Sequence, residues 1–290
     1  MIHQNTSIGA ITLKVANFEK MVAFYRDVIG LQLLESSAGQ RLGSHRKTAT
    51  LGTPERPLIH LRHLTSGRRA QGQSGLFHLA LRVPNRTALA TWFRHYTTVN
   101  GPGWEGASDH GAAVAIYLND PEGNGIEICY DLPREQWEYD ENGTIKMVTK
   151  ALDLHALLRE ANDNSSSLLD PATVMGHVHL SVSEIPSAKQ FYVDLLGFDL
   201  QFEMPDSALF ISAGNYHHHV GLNNWKSRGG PPNSAESLGL EQFEICFGSA
   251  DSRQQAIERL TAHQIKVDTC NDITTVVDPF HNSVVLTIPD

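Results

Sequence analysis

One stretch of the chain occurs twice, and this repeat limits the possible folds more than any other feature of the sequence. Residues 8–31 align without a gap with residues 175–198, so that Gly30 lies opposite Gly197. Each copy begins with apolar residues at every second position, which is typical of a half-buried strand. An apolar face with helical spacing follows, and the glycine stands where a helix often ends in a left-handed residue. Each copy therefore predicts a strand followed by a helix.

Further similarities divide each half of the chain into two modules. Residues 75–83 resemble residues 239–247, and a stretch with helical spacing follows each of them. These helical stretches cover residues 87–96 and 253–263. The four expected modules span residues 8–66, 75–131, 175–224 and 238–288. The order within a module is βαβββ, which predicts an α+β fold, and two such modules side by side can curve their sheets around a shared concave pocket.

The modules are expected to form two tandem domains with a linker between them. The predicted N-terminal domain covers residues 1–135, the linker residues 136–172, and the C-terminal domain residues 173–290. The linker is polar, with a helical pattern over Thr149–Ala161 and an NDNSSS run at residues 162–167 that favours disorder.

Composition excludes several classes of function. The formal net charge of -9 argues against a nucleic-acid binder, which needs a basic surface. The three cysteines include no CxxC pair, which excludes a thiolate zinc site and fits a reducing cytosol. The chain has neither an apolar run of about 18 residues nor a signal-peptide pattern at its start, so no membrane span and a cytoplasmic location are expected. The oligomeric state stays open, a homo-oligomer included.

A buried acid is predicted after the turn signal at residues 120–125. The strand expected over Gly125–Tyr130 has Glu127 between Ile126 and Ile128. If the two isoleucines pack on helices, Glu127 faces the opposite side of the sheet. A carboxylate among apolar neighbours is costly to bury unless it binds a cation or a hydrogen-bond donor. This pattern therefore points to a cation site at Glu127.

The modules and one motif resemble the vicinal oxygen chelate superfamily, which includes glyoxalase I, bleomycin-resistance proteins and type I extradiol dioxygenases. The motif has the spacing of the extradiol dioxygenase signature: His110, five residues, an aliphatic residue with Tyr117, two residues, Asp-Pro-x-Gly, and Glu127 after three more. It departs from that pattern at Ser108, where Gly, Asn, Thr, Ile or Val is usual. The resemblance covers nearly the whole chain, as in two-domain catechol 2,3-dioxygenases. It implies paired βαβββ modules with a metal held on the first strand of each module and on a closing strand.

The resemblance also assigns the metal ligands. The family's first-strand positions are Ala10, His78, His177 and Gln242, and its closing-carboxylate positions are Glu127 and Val285. Pairing the second module with the third gathers His78, Glu127 and His177, and one rule then explains every retained and every lost ligand. Pairing the first module with the second would instead need His60 as the third ligand. His179 competes with His177 for the ligand role, or lies outside the metal's ligand shell.

The same resemblance implies three catalytic residues. The third module ends in Tyr216-His217-His218-His219. If this segment is a strand, His217 and His219 share a face, and His219 matches the acid-base histidine of extradiol enzymes. Tyr117 and His110 would hydrogen-bond oxygens of the substrate or of an intermediate.

Two imidazoles and one carboxylate are the ligand set typical of non-haem Fe(II) oxygenases. The resemblance therefore implies an extradiol dioxygenase that cleaves a small aromatic diol with O₂. The expected metal is Fe(II), with Mn(II) or Zn(II) as alternatives. Two other functions stay open. One is a glyoxalase-like isomerase or lyase with Zn or Ni, which would use four protein ligands. The other is a non-catalytic binding or resistance protein of the same fold.

Overall fold

A computed structural model of the chain describes residues 1–37, 47–69, 71–141, 143–146, 148–162, 167–271 and 273–288. Of the NDNSSS run that was predicted to be disordered, residues 163–166 lie outside these described residues. Among the described residues, no helix is long and apolar enough to cross a membrane.

Strands make up most of the regular structure. The strands of the first two modules and the following segment are β1 (Ser7–Val15), β2 (Gln32–Ser37), β3 (Thr48–Thr53), β4 (Arg56–His63), β5 (Gly75–Arg82), β6 (Trp104–Asp109), β7 (Ala113–Asn119), β8 (Gly125–Asp131) and β9 (Lys150–Ala151). Those of the last two modules are β10 (Val174–Ser181), β11 (Asp199–Met204), β12 (Ala208–Ser212), β13 (Val220–Asn223), β14 (Gly239–Cys246), β15 (Val267–Cys270), β16 (Ile273–Val277) and β17 (Ser283–Thr287). The helices are α1 (Phe18–Ala23), α2 (Arg86–Thr98), α3 (Leu154–Arg159), α4 (Ile185–Lys189) and α5 (Ala250–Ala262). A 3-10 turn spans Arg134–Gln136.

Within the described ranges the strands form two sheets, which confirms the predicted α+β fold. The eight-stranded sheet has the order β15-β16-β17-β14-β1-β4-β3-β2. The nine-stranded sheet has the order β11-β12-β13-β10-β5-β8-β7-β6-β9. Strands of the second and third modules thus share one sheet, and strands of the first and fourth modules share the other. This order confirms the module pairing that the pattern of retained ligands favours.

The chain forms two compact units. The first unit comprises Met1–Thr12, Arg68–Phe77 and His177–Asp290. In it, β10 runs parallel to β13, and β12 is antiparallel to β13. Val178 and Leu180 are fully buried in the apolar core of this unit. Because side chains alternate along a strand, His177 and His179 share the opposite face of β10.

The second unit comprises Leu13–Gly67 and His78–Gly176. In it, β5 runs parallel to β8, and β7 is antiparallel to β8. Leu79 and Ile128 are fully buried among apolar residues, as the alternation predicted for β8 requires. His78 is the neighbour of Leu79 along β5, and Glu127 is the neighbour of Ile128 along β8. Because side chains alternate along a strand, His78 and Glu127 point to the face opposite these core residues.

Both copies of the repeated helix end in a π-helical turn, which the sequence pattern did not predict. The α1 helix continues as a π-helix over Phe24–Val28, and α4 continues as one over Gln190–Leu195. Gly30 and Gly197 then adopt φ values of 88° and 94°. These values confirm the prediction that each glycine ends its helix in a left-handed conformation.

The helix predicted over Thr149–Ala161 is shorter than expected. The α3 helix begins at Leu154, because the Asp153 carboxylate accepts a hydrogen bond from the Ala156 backbone N–H at 2.9 Å and caps it. The preceding β9 strand is antiparallel to β6. The helices predicted over residues 87–96 and 253–263 are confirmed as α2 and α5. The domain boundaries proposed near residues 135 and 173 stay predictions.

Candidate metal centre

His78 and Glu127 are brought together by the register of two parallel strands. His78 of β5 lies opposite Gly125, and Ala80 lies opposite Glu127 of β8. The His78 Nε2 atom is 3.1 Å from Glu127 Oε2, and both side chains are buried. A buried carboxylate needs a donor or a cation at this distance. Glu127, the acid predicted to face the interior, therefore lies beside His78, the histidine predicted to share its site.

His177 is buried to 1% exposure on β10. One ligand nitrogen from each of His78 and His177 and one carboxylate oxygen of Glu127 lie within 4.8 Å of one another. Two neutral imidazoles and one carboxylate suit a divalent transition metal, and three protein donors leave further coordination positions open. The donor set of these residues therefore fits a metal ion.

His60, the alternative third ligand, has a different partner. Its Nδ1 atom lies 3.1 Å from Thr50 Oγ1 on the neighbouring strand of the second unit. In the described part of the chain, the group placed to hold a metal contains His177 and does not contain His60.

Tyr117 and His110 form a hydrogen-bonded pair beside Glu127. The Val148 carbonyl lies 2.8 Å from His110 Nδ1, and the Tyr117 hydroxyl lies 2.9 Å from His110 Nε2. A carbonyl oxygen only accepts, so His110 Nδ1 donates to it, and both His110 Nε2 and the Glu127 carboxylate are then acceptors for the Tyr117 hydroxyl. Tyr117 also lies directly opposite Glu127 in the ladder between β7 and β8.

Burial and the neighbouring carboxylate perturb two acidic groups here. Burial, with the charge of Glu127, raises the pKa of the Tyr117 hydroxyl well above its ordinary value. The same two causes raise the pKa of the Cys129 thiol well above its usual range. The phenol and the thiol therefore keep their protons at neutral pH, and Tyr117 is a hydrogen-bond donor.

Residues 217–219 do not lie on a strand, so the shared face that a strand would give His217 and His219 does not apply, and the catalytic role of His219 stays a prediction. The β13 strand begins at Val220, after Gly214 and Asn215 take positive φ values of 61° and 54° in a turn. The His218 ring, which the strand assumption turned away, has its centroid 4.1 Å from that of His177. His219 Nδ1 accepts a hydrogen bond from the Ala213 backbone N–H at 3.1 Å. The Gly-Asn pair before the histidines is the sequence signal for this turn.

The sequence left open whether His177 or His179 is the metal ligand, and the group placed to hold a metal among the described residues contains His177 and does not contain His179. The His179 Nε2 atom lies 2.9 Å from Asn223 Nδ2, and its ring is buried on the same face of β10 as His177. Phe77, Phe210 and Trp225 have ring centroids between 5.1 and 5.8 Å from it. The two-residue spacing from His177 predicts the shared face, but these partners are distant in sequence.

Comparison with known proteins gives the family. Residues 7–128 and 174–283 match the family described as the glyoxalase/bleomycin resistance protein/dioxygenase superfamily. A protein named catechol-2,3-dioxygenase from Bacillus subtilis (strain 168) is 35% identical over 287 residues, which cover 96% of this chain and 95% of that protein.

Solved structures show the same fold at low sequence identity. Glyoxalase I from Zea mays has a TM-score of 0.59 at 15% identity, covering 97% of this chain and 92% of that one. The cppA protein from Streptococcus pneumoniae TIGR4 has a TM-score of 0.56 at 13% identity, covering 98% and 99%. With the family match over most of its length, the chain belongs to the glyoxalase/bleomycin resistance protein/dioxygenase superfamily.

Proposed function

We propose that the protein is a metal-dependent extradiol dioxygenase, with His78, His177 and Glu127 as the protein ligands of Fe(II). The observation that carries the proposal is the grouping of these three donor atoms within 4.8 Å. The 35% identity to a protein named catechol-2,3-dioxygenase supports the reaction class. The substrates would be a small aromatic diol and O₂, and the ring bond next to the diol would be cleaved. Mn(II) and Zn(II) are the alternative metals.

Bound Fe(II) would supply open positions for both diol oxygens and for O₂, together with the redox chemistry that lets O₂ react. The chain's own residues would hold the substrate and move its protons. The Tyr117 hydroxyl, oriented by His110, would hydrogen-bond a substrate oxygen near Glu127. The segment 217–219 would provide the acid-base histidine. Family position favours His219 for this role, whereas the ring contact with His177 favours His218.

The isomerase alternative is less well supported. It would use four protein ligands, and the described residues place three donors together. The likeness to glyoxalase I is a likeness of fold, and one fold hosts many reactions.

An aerobic assay of the Fe(II)-loaded protein with catechol tests the proposal. We expect a yellow ring-cleavage product, and we expect His177→Ala to lose both iron and activity. His60→Ala is the matched control, because His60 is a strand histidine bonded to Thr50, and it should keep both. A protein that binds one iron tightly but cleaves no diol would overturn the assignment. Loss of iron in the His60 variant alone would instead show that His60, and not His177, is the third ligand.

A further inference from the structure

We infer that the preferred diol carries an apolar substituent, an alkyl chain or a second aromatic ring, which packs on one aromatic surface of the first unit. This aromatic surface consists of Phe77, His179, Phe202, Phe210 and Trp225. The inference rests on the proposed function and names the substrate class of the same site.

The centre of the aromatic surface is a single row across four strands. His179 of β10 lies opposite Gly221 of β13, Gly221 lies opposite Phe210 of β12, and Phe210 lies opposite Phe202 of β11. Residues that are direct partners across strands project from the same face of a sheet. The three side chains of this row therefore form one continuous patch, with a glycine between His179 and Phe210.

Ring contacts connect this row to a proposed metal ligand. The His218 ring lies 4.1 Å from the His177 ring, and Phe210 lies 5.3 Å from His218 in an edge-on arrangement. His179 lies 5.5 Å from Phe210, also edge-on. A diol held at His177 would therefore have this patch within reach of its ring substituent.

The outer part of the aromatic surface is exposed. Trp225 is 49% exposed and Phe202 is 40% exposed, whereas His179 is 3% exposed. The Trp225 ring packs edge-on against Phe77 at 5.5 Å, and its indole N–H donates to Ser207 Oγ at 3.0 Å. Large aromatic groups that stay exposed next to a polar centre are typical of ligand contact surfaces. The aromatic surface thus extends from solvent toward the buried His177.

Hydrogen bonds hold the His179 ring in place. The Trp225 backbone N–H donates to Asn223 Oδ1 at 3.2 Å, which turns the Asn223 amide nitrogen toward His179. His179 Nε2 is then the acceptor at 2.9 Å, and Nδ1 carries the proton of the neutral ring. The ring is fixed above Gly221, where an added Cβ would lie 2.8 Å from Nδ1.

The third module differs here from the second in a way that favours an apolar substituent over a further ligand. In the second module Ala80 lies opposite Glu127, whereas in the third module His179 lies opposite Gly221. Gly221 therefore has the ladder position in the third module that Glu127 has in the second, and the His179 imidazole lies over it. A carboxylated substituent would lose hydration on this surface, and Lys226, whose Nζ atom lies 5.8 Å from the centroid of the Phe77 ring, is a cation at its edge.

The test compares kcat/KM for catechol, 4-phenylcatechol and 3,4-dihydroxybenzoate in the Fe(II)-loaded full-length protein. We expect 4-phenylcatechol to exceed catechol by about tenfold, the scale of selectivity that an apolar contact gives. Trp225→Ala and Phe202→Ala should each lower this ratio. Trp104→Ala is the matched control and should leave it unchanged, because Trp104 is similarly exposed but packs on Phe93 in the second unit. Circular dichroism and iron content are measured for each variant.

Two results would overturn the inference while the proposed function stands. One is cleavage of catechol with an unchanged ratio in both Trp225→Ala and Phe202→Ala. The other is a preference for 3,4-dihydroxybenzoate, which would point to Lys226 as a partner for an anionic substituent. If the iron-loaded protein cleaves none of the three diols, the proposed function fails and this inference fails with it.

Discussion

Two adjacent histidines have different structural partners and should therefore fail in different ways when they are replaced. The His218 ring contacts the His177 ring, whereas His219 Nδ1 accepts the buried N–H of Ala213. We expect His218→Ala to lower kcat by about 10²-fold or more, as loss of an acid-base group does, and to lower Tm as well, because His218 Nδ1 lies 2.8 Å from the buried His217 Nδ1. We expect His219→Ala to cost about 1–3 kcal/mol of unfolding free energy, because a buried donor loses its acceptor. Steady-state kinetics at fixed iron content separate the two, and thermal unfolding measures the stability cost of each.

A large loss of kcat in His219→Ala with normal Tm and iron content would restore the role that the family position assigns to His219. At this scale the sequence predicted those residues whose position follows from strand alternation. Glu127 between two core isoleucines is the clearest case, since Ile126 and Ile128 are buried in the core. The residues 217–219 could not be placed in this way, because the turn at Gly214 ends the alternation before them.

The Asp-Pro turns that close two of the modules are anchored to the repeated helices. Asp120 Oδ1 accepts the backbone N–H groups of Glu122 and Asn124 at 2.9 Å, and its Oδ2 accepts the Tyr25 hydroxyl at 2.9 Å. The same bonds recur around Asp278, whose Oδ2 accepts the hydroxyl of the repeated tyrosine at 2.8 Å. The repeat predicted that the two tyrosines are equivalent, but their partners lie too far along the chain for any local pattern to name them.

Removing either tyrosine hydroxyl should weaken the fold. We expect Tyr25→Phe and Tyr192→Phe each to lower the free energy of unfolding by about 1–3 kcal/mol, because a buried carboxylate loses a donor. Tyr139→Phe is the control, since this tyrosine is 47% exposed, and it should change little. Denaturant unfolding monitored by circular dichroism measures the three values. An effect no larger than that of Tyr139→Phe would show that these hydrogen bonds contribute little.

The Tyr25 variant should also depend on pH. Burial raises the pKa of Asp120 above its ordinary value, whereas the Tyr25 hydrogen bond acts in the opposite direction and lowers it. A carboxyl group with a raised pKa contributes stability at acid pH, and that contribution is lost as pH rises through the folded-state pKa. Removing the Tyr25 donor raises this pKa further. The stability loss should therefore be larger at neutral pH than at a pH below the usual carboxyl range, and the same unfolding curves measure it.

For the whole molecule, the sequence predicted the sheet organisation better than the local structure. Six ligand positions, of which three are retained and three are lost, were enough to favour the observed strand order, because a metal needs its donors in one place. The π-helical turns after α1 and α4 were not predictable, since an α-helical turn and a π-helical turn both fit the same spacing of apolar residues over one turn. The sequence did not predict the short β9 strand, because this strand is defined by its pairing with β6, and no local pattern of residues indicates that pairing.

Metal binding should raise the stability of the folded protein, because the three proposed ligands are far apart in sequence and the unfolded chain does not hold them together. At a free metal concentration of about 100 times Kd, the gain is about 2.7 kcal/mol, which corresponds to several degrees in Tm at this chain length. The shift should appear with Fe(II) under anaerobic conditions and with Mn(II), and a chelator should reverse it. His177→Ala should abolish the shift, and His60→Ala should keep it. A Tm that rises equally in both variants would mean that the ion binds elsewhere on the chain, and scanning calorimetry of the full-length protein with and without metal distinguishes the two outcomes.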